Sequence, residues 1–260
     1  MVLHHYDAHV AGLAEGIVGI DLNVEEQLSL VREIGPWSGE FDFPDDKDPT
    51  GRKRYYKRNG YFQDGDGFAL FAMLKRLKPK KVIEIGSGFS SALMLDTCDK
   101  LGLKTILGFV EPYPDRLNML LRESDRKRCI LVQAPVQSVK KDAFKLLGPG
   151  DILFIDSSHV SKAMSDVNFL FFEILPLLQK GVWIHIHDIF WPFEYPKEFH
   201  QEGRAWNECY LLRALLMNNP VFRIRLFLTF LSANHRNLLI SHCPHNARDG
   251  GVSIWLEKVA

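Results

Sequence analysis

The stretch VIEIGSGFSS, residues 82–91, decides the fold of this chain. An apolar, β-branched run leads into Gly86, Ser87 and Gly88, and a helix-forming segment follows. Glycines at such a point let the chain turn sharply and let a ligand approach the backbone closely. A strand, a glycine turn and a helix in this order therefore predict a loop that holds a nucleotide-type cofactor.

The charge beside this loop bears on which cofactor it holds. A dinucleotide fingerprint has a third glycine at the position that Ser91 occupies here. Glu84 lies two residues before the loop, where a carboxylate would repel a pyrophosphate but would suit an ammonium and a sulfonium group. Glu111 lies 25 positions after Gly86 (111 − 86), at the end of the next predicted strand, where it can accept hydrogen bonds from both hydroxyls of a ribose.

Short apolar runs alternate with amphipathic segments from about residue 63 onward, which is typical of βα units around a parallel sheet. We expect an α/β, Rossmann-like, doubly wound sheet of seven mostly parallel strands with an antiparallel last strand. The predicted strands are 81–85, 105–110, 129–133, 152–156, 182–187, 222–231 and 252–256. The predicted helices are 90–101, 115–123, 136–146, 161–178 and 204–217.

Residues 1–62 are predicted to be an N-terminal extension or lid, and residues 63–260 the core domain. Pro, Gly and Asp residues surround a basic run at residues 52–58, which favours a solvated loop; a lid or a contact with an acidic substrate is the alternative.

The overall composition argues against charged macromolecular partners. Lys plus Arg and Asp plus Glu are 32 each, so no global field attracts nucleic acid or an anionic membrane. No apolar run approaches the roughly 20 residues that cross a bilayer. The four cysteines lie far apart without a CxxC motif, which favours a reducing compartment and a cytoplasmic protein.

Four segments in order resemble a class I S-adenosylmethionine-dependent methyltransferase: EIGSGFS (84–90), FVEPYP (109–114), DILFIDSSH (151–159) and LLQKGVWIHIHD (177–188). The resemblance implies that Gly86, Ser87 and Gly88 contact the methionine and ribose portion of S-adenosylmethionine. It also implies that Glu84 supports the loop or reaches the amino group and that Glu111 holds the ribose. Backbone near Ala134 would flank the adenine, and Asp156 would also lie at the cofactor.

The order IDxxH, long helix, apolar strand and HD is similar to small-molecule O-methyltransferases of the macrocin and catechol types. In metal-dependent members, oxygen ligands come from the ends of these two strands, which match Asp156 and Asp188 here. The chain departs from that pattern, with His187 before Asp188 and Ile189 after it, and this speaks against Mg²⁺, which prefers oxygen ligands.

Transfer of a methyl group to oxygen needs an in-line approach and removal of the hydroxyl proton. We therefore expect His159 or His187 to be the general base, with Asp188 and Asp156 orienting it or holding a divalent metal. Asp156 could instead cap a helix. His185 is expected to pack within its strand and to be satisfied by a backbone carbonyl.

The expected function is methylation of a hydroxyl on a small molecule, and the sequence leaves open whether the chain forms a homo-oligomer. Four aromatic residues after Asp188 favour an apolar or ring-bearing acceptor: Phe190, Trp191, Phe193 and Tyr195. Two alternatives stay open, an NAD-dependent oxidoreductase and a non-catalytic Rossmann-like binding domain.

Overall fold

The computed structural model describes residues 5–15, 17–247 and 249–260. Seven strands form one mixed sheet in the order β3-β2-β1-β4-β5-β7-β6. The first five strands pair in parallel, and β7 runs antiparallel to both β5 and β6. The predicted fold class is thus confirmed. The strands are β1 (Lys81–Ile85), β2 (Ile106–Val110), β3 (Cys129–Val132), β4 (Ile152–Ile155), β5 (Trp183–Ile186), β6 (Phe222–Phe227) and β7 (Ile254–Lys258).

Ten α-helices lie in the described part of the chain. They are α1 (Tyr6–Glu15), α2 (Val24–Ile34), α3 (Asp64–Leu77), α4 (Phe89–Leu101), α5 (Asp115–Leu120), α6 (Asp166–Phe169), α7 (Lys197–Gln201), α8 (Glu208–Leu216), α9 (Leu228–Asn234) and α10 (Arg236–His242). Helix α4 starts directly after the glycine loop and packs against α3.

The strand order reverses between β1 and β4, which lie side by side at the centre of the sheet. From β1 the chain moves outward to β2 and β3, and it then returns to the other side of β1 at β4. Such a switch point leaves a crevice at the carboxyl ends of the two strands, where ligands of open α/β sheets bind. The glycine loop after β1 and Asp156 after β4 therefore meet in one crevice.

Two predicted helices are wrong in part. Residues 136–146 form two 3₁₀ turns, Val136–Ser138 and Lys141–Leu146, because Val139 between them takes an extended backbone. The helix predicted at 161–178 begins only at Asp166, where the Ser165 side chain accepts a hydrogen bond from the Asn168 N–H. It continues as a π-helical turn and a 3₁₀ turn around Pro176, which has no N–H to continue the α-helical pattern.

Other elements differ because their surroundings override the local pattern. The strand predicted to reach residue 231 ends at Phe227, where α9 takes over. Helix α3 was missed because its residues from Asp64 to Leu74 are all buried, so its sequence has no polar face to reveal a helical period.

The segment before residue 62 contributes to the same hydrophobic core as the sheet. Phe41, Phe43 and Tyr55 are at most 2% exposed. The proposed division of the chain at residue 62 stays a prediction, and residues 1–4 and 16 lie outside the described residues.

The basic run at residues 52–58 is expected to be a solvated loop, but the structure shows that only part of it is exposed. Arg54 is buried and pairs with Asp96 at 2.5 Å, with Asp99 at 3.0 Å and with Asp125. Arg58, by contrast, is exposed and pairs with an exposed Asp46. Arg54 therefore ties this segment to α4 and to the turn before β3.

Across the described residues, no helix combines the length and apolar character that a membrane crossing needs.

Candidate active site

The glycine loop is shaped by a close contact between neighbouring strand ends. Gly86 has a left-handed φ of +78°, and its N–H donates to the Val110 carbonyl at 3.0 Å. A Cβ at this position would lie 2.0 Å from the backbone oxygen of Asp156. Only glycine fits there. Gly88 is less constrained, since a Cβ would lie 3.0 Å from the flexible Arg116 side chain.

Glu84 lies beneath the loop and is fully buried. Its two carboxyl oxygens accept hydrogen bonds from the Ser90 and Ser91 hydroxyls, and Ser91 Oγ in turn accepts the Gly88 N–H at 3.0 Å. Burial raises the pKa of Glu84 to about 8, because it outweighs the two serine hydrogen bonds. The carboxyl is therefore mostly protonated at neutral pH, and Glu84 does not supply the negative charge beside the loop that the sequence predicts. The hydrogen bonds of Glu84 to Ser90 and Ser91 support the loop from below.

Glu111 lies at the end of β2 and joins the loop to the neighbouring strand. Its Oε2 accepts the Ser87 N–H at 3.1 Å, and its Oε1 accepts the Tyr113 N–H at 2.8 Å. The Ser87 hydroxyl is buried and has no hydrogen-bond partner among the described residues. Ala134, half-buried, follows β3, and its N–H bonds to the Val132 carbonyl, which also accepts the Glu111 N–H.

Four side chains meet at the carboxyl ends of β4 and β5, and we call them the acid–histidine cluster: Asp156, His159, Asp188 and Glu208. His159 Nε2 lies 3.5 Å from Asp156 Oδ1 and 3.4 Å from Asp188 Oδ2. Its other ring nitrogen, Nδ1, lies 2.9 Å from Glu208 Oε2. Backbone φ angles of +59° at His159 and +55° at Asp188 direct both side chains into the cluster.

The carboxylates change the proton affinity of the cluster. Burial lowers the pKa of His159, but hydrogen bonds to Asp156 and Glu208 outweigh it and raise that pKa to about 10. Burial raises the pKa of Asp156, yet the bond to His159 and nearby positive charges bring it below its usual value. Three carboxylates around one imidazole leave an excess of negative charge, which favours a cation.

His187 and His185 are buried beside the cluster. His187 Nε2 is 3.9 Å from Asp188 Oδ1. His185 stacks on Phe154, with ring centroids 3.7 Å apart. Its expected backbone partner is Ile155, but this contact falls outside normal hydrogen-bond geometry.

Two residues of the site were not predicted as functional. Glu208 is fully buried at the first turn of α8, where the sequence alone favours a charge that only complements the helix dipole. The Trp206 ring lies 4.3 Å from the His159 ring, centroid to centroid. Of the four aromatic residues expected at the acceptor, Phe193 and Tyr195 are buried in the core, whereas Phe190 and Trp191 are half-buried.

Comparison with known proteins finds similarity to methyltransferases. Residues 83–189 match the family model of a methyltransferase domain. The chain is 36% identical over 135 residues to an uncharacterized protein of Archaeoglobus fulgidus, over 50% of this chain and 59% of that protein. The chain thus spans about three fifths of that relative.

Solved structures are similar over the whole chain at low sequence identity. The methyltransferase PaMTH1 of Podospora anserina, solved with SAH bound, has a TM-score of 0.50 and 14% identity, covering 100% of this chain and 97% of that one. The O-methyltransferase TomG of Streptomyces achromogenes, involved in tomaymycin synthesis and solved with SAM, has a TM-score of 0.46 and 15% identity, covering 100% and 99%.

Residues 83–189 of this chain are thus similar to a methyltransferase domain. The family match includes the glycine loop, Glu111 and both aspartates of the cluster, and it confirms the resemblance to class I methyltransferases. The likeness to PaMTH1 agrees with the Rossmann-like fold. A nicotinamide-dependent oxidoreductase is accordingly not favoured.

Proposed function

We propose that this protein transfers the methyl group of S-adenosylmethionine to a hydroxyl of a small molecule. The observation that carries this proposal is the contact between the glycine loop and the acid–histidine cluster. Gly86 approaches the backbone of Asp156 so closely that no Cβ fits between them. A cofactor on the loop would therefore lie directly beside the cluster.

The residues of the loop fit such a cofactor. The buried Ser87 hydroxyl, which has no partner among the described residues, can bond to a polar group of the cofactor. Glu111 has oxygens with further lone pairs for the ribose hydroxyls. Glu84 holds the loop from below, and Ala134 offers backbone for the adenine edge.

The donor set of the cluster also fits a divalent cation. Oδ1 of Asp156, Oδ2 of Asp188 and Nε2 of His159 all lie close together, and Glu208 holds the far side of the imidazole. A carboxylate behind a ligating histidine fixes the ring orientation. An imidazole in the set favours Mn²⁺, Fe²⁺ or Zn²⁺ over Mg²⁺. When bound there, such a cation would make the acceptor hydroxyl more acidic.

The chain's own residues would position the acceptor. Trp206, packed on His159, provides an apolar wall for a ring. During transfer the bond between carbon and sulfur breaks, a bond between carbon and the acceptor oxygen forms, and the hydroxyl proton passes to a carboxylate of the acid–histidine cluster, because a protonated or cation-bound His159 has no free lone pair. We assign this role to the cluster with His159, whose Nε2 lies 3.4 to 3.5 Å from both aspartates, and not to His187, whose Nε2 lies 3.9 Å from Asp188.

A panel of small phenols, sugars and other hydroxyl compounds would test the proposal, with release of S-adenosylhomocysteine as the readout. We expect turnover with at least one compound, loss of turnover after chelation, and recovery with added Mn²⁺. Asp156→Asn should lower turnover by at least about 100-fold, since second-sphere changes alone cost 10–100-fold in such sites. Asp142→Asn, at an aspartate that is 83% exposed and pairs with Lys145, is the matched control.

Turnover that is insensitive to chelation would contradict the role of the cation. Full turnover by Asp156→Asn would contradict the role of the cluster. Absence of turnover across the panel, together with intact cofactor binding, would favour a non-catalytic binding domain.

A further inference from the structure

A second group of potential ligands lies below the acid–histidine cluster. Asp66 comes from the first turn of α3, His185 lies in β5, and His187 directly follows that strand. Alternate residues of a strand point to the same face, so the HxH pattern directs both imidazoles toward α3. One possible ligand atom from each side chain lies within 4.8 Å of the others.

All three side chains are buried, at 3% exposure for Asp66, 1% for His185 and 4% for His187. Among the described residues, neither nitrogen of His185 and not Nδ1 of His187 has a hydrogen bond of normal geometry. Buried polar atoms are rarely left in that state. Each neutral ring has one nitrogen with a lone pair, so the two imidazoles and the carboxylate together offer three donor atoms to a ligand.

Asp66 is held in place for this role. Its Oδ2 accepts the Val252 N–H at 2.9 Å and its Oδ1 accepts the Ser253 hydroxyl at 2.5 Å. Each oxygen keeps a further lone pair. His185 is fixed between Phe154 and Trp255, with ring centroids at 3.7 and 4.9 Å.

We propose that Asp66, His185 and His187 bind a divalent transition-metal ion of the Zn²⁺ class, separate from the cation at the acid–histidine cluster. Two imidazoles and one carboxylate suit Zn²⁺ and Co²⁺ and suit Mg²⁺ and Ca²⁺ poorly. One possible donor atom of each side chain lies within 4.8 Å of the others, and an ion bound by all three would have bonds of about 2.0–2.2 Å. The ion would fasten α3 to β5 and, through Val252 and Ser253, to the start of β7.

The test uses the full chain carrying Asp156→Asn and Asp188→Asn, which disable the acid–histidine cluster as a cation site. After removal of metals by a chelator, this protein is titrated with Co²⁺. We expect one Co²⁺ per chain with a visible absorption band, and a higher melting temperature in added Zn²⁺. No methyl transfer is measured, so this test stands apart from that of the proposed function.

In the same background, His185→Phe should abolish Co²⁺ binding and the Zn²⁺ effect on the melting temperature, while the aromatic ring keeps the stacking on Phe154. His235→Phe is the matched control, since His235 is half-buried against Phe230 and belongs to neither group. Asp66→Asn is a second variant in case His185→Phe does not fold, because its amide oxygen can still accept the Val252 N–H.

Absence of Co²⁺ binding in the background protein would overturn the proposal, whatever the further variants do. Binding that survives in folded His185→Phe or Asp66→Asn would overturn it as well.

Discussion

Glu84 illustrates how a residue's environment reverses what its charge suggests. The sequence offers a carboxylate beside a cofactor loop, but the structure places it in a buried site where two serine hydroxyls occupy its oxygens. The Glu84 carboxyl binds its proton more tightly in the folded chain than in the unfolded chain, because burial raises its pKa from 4.5 to about 8.

This shift predicts a pH dependence of stability. Between pH 4.5 and 8 the folded chain holds one proton more at Glu84 than the unfolded chain does. The contribution of this group is therefore complete below pH 4.5, and it falls by about 1.4 kcal/mol per pH unit as the pH rises toward 8. Glu84→Gln removes that loss, so its free energy of unfolding relative to the natural chain should rise with pH over this window.

Urea unfolding at pH 5, 6.5 and 8, without added cofactor, measures the effect. Glu123→Gln, at a glutamate that is 87% exposed, controls for the substitution itself. A difference between Glu84→Gln and the natural chain that stays constant over the three pH values would refute the buried, protonated carboxyl.

At the scale of elements, the best predicted strands and helices are those whose structure is determined by their own local sequence. Strand β1 was predicted at its observed bounds, because an apolar run followed by glycines has few alternatives. Helix α3 and the ion pairs of Arg54 could not be predicted, because both depend on neighbours that only the folded chain supplies. Arg54 and Asp125 are 71 positions apart in sequence.

The Arg54 pairs predict a large effect on stability. Arg54→Met would leave Asp96 and Asp125 buried without their partner cation, which costs about 3–5 kcal/mol. Arg58→Met removes an exposed pair with Asp46 and should cost at most about 1 kcal/mol. Denaturant unfolding of the two variants measures both values, and equal losses would show that the burial of Arg54 contributes little.

At the scale of the whole molecule, the topology explains why much of the site could be inferred from the sequence. Carboxyl ends of neighbouring parallel strands meet at one edge, so Asp156 and Asp188 were expected together, and they are. The partner of His159 was not found, since Glu208 lies 49 positions away on a helix that returns to the crevice from outside the parallel part of the sheet. The pattern of apolar residues in the strands does not predict that such a helix reaches the crevice.

The central claim is that the glycine loop and Glu111 hold S-adenosylmethionine. Calorimetric titration of the purified chain with S-adenosylmethionine, and separately with NAD⁺, tests it most directly. We predict binding heat with S-adenosylmethionine alone, and affinity at least about tenfold weaker in Glu111→Gln, since hydrogen bonds to a charged group contribute about 1.5–3 kcal/mol. Heat with NAD⁺ alone, heat with neither compound, or unchanged affinity in Glu111→Gln would contradict the claim.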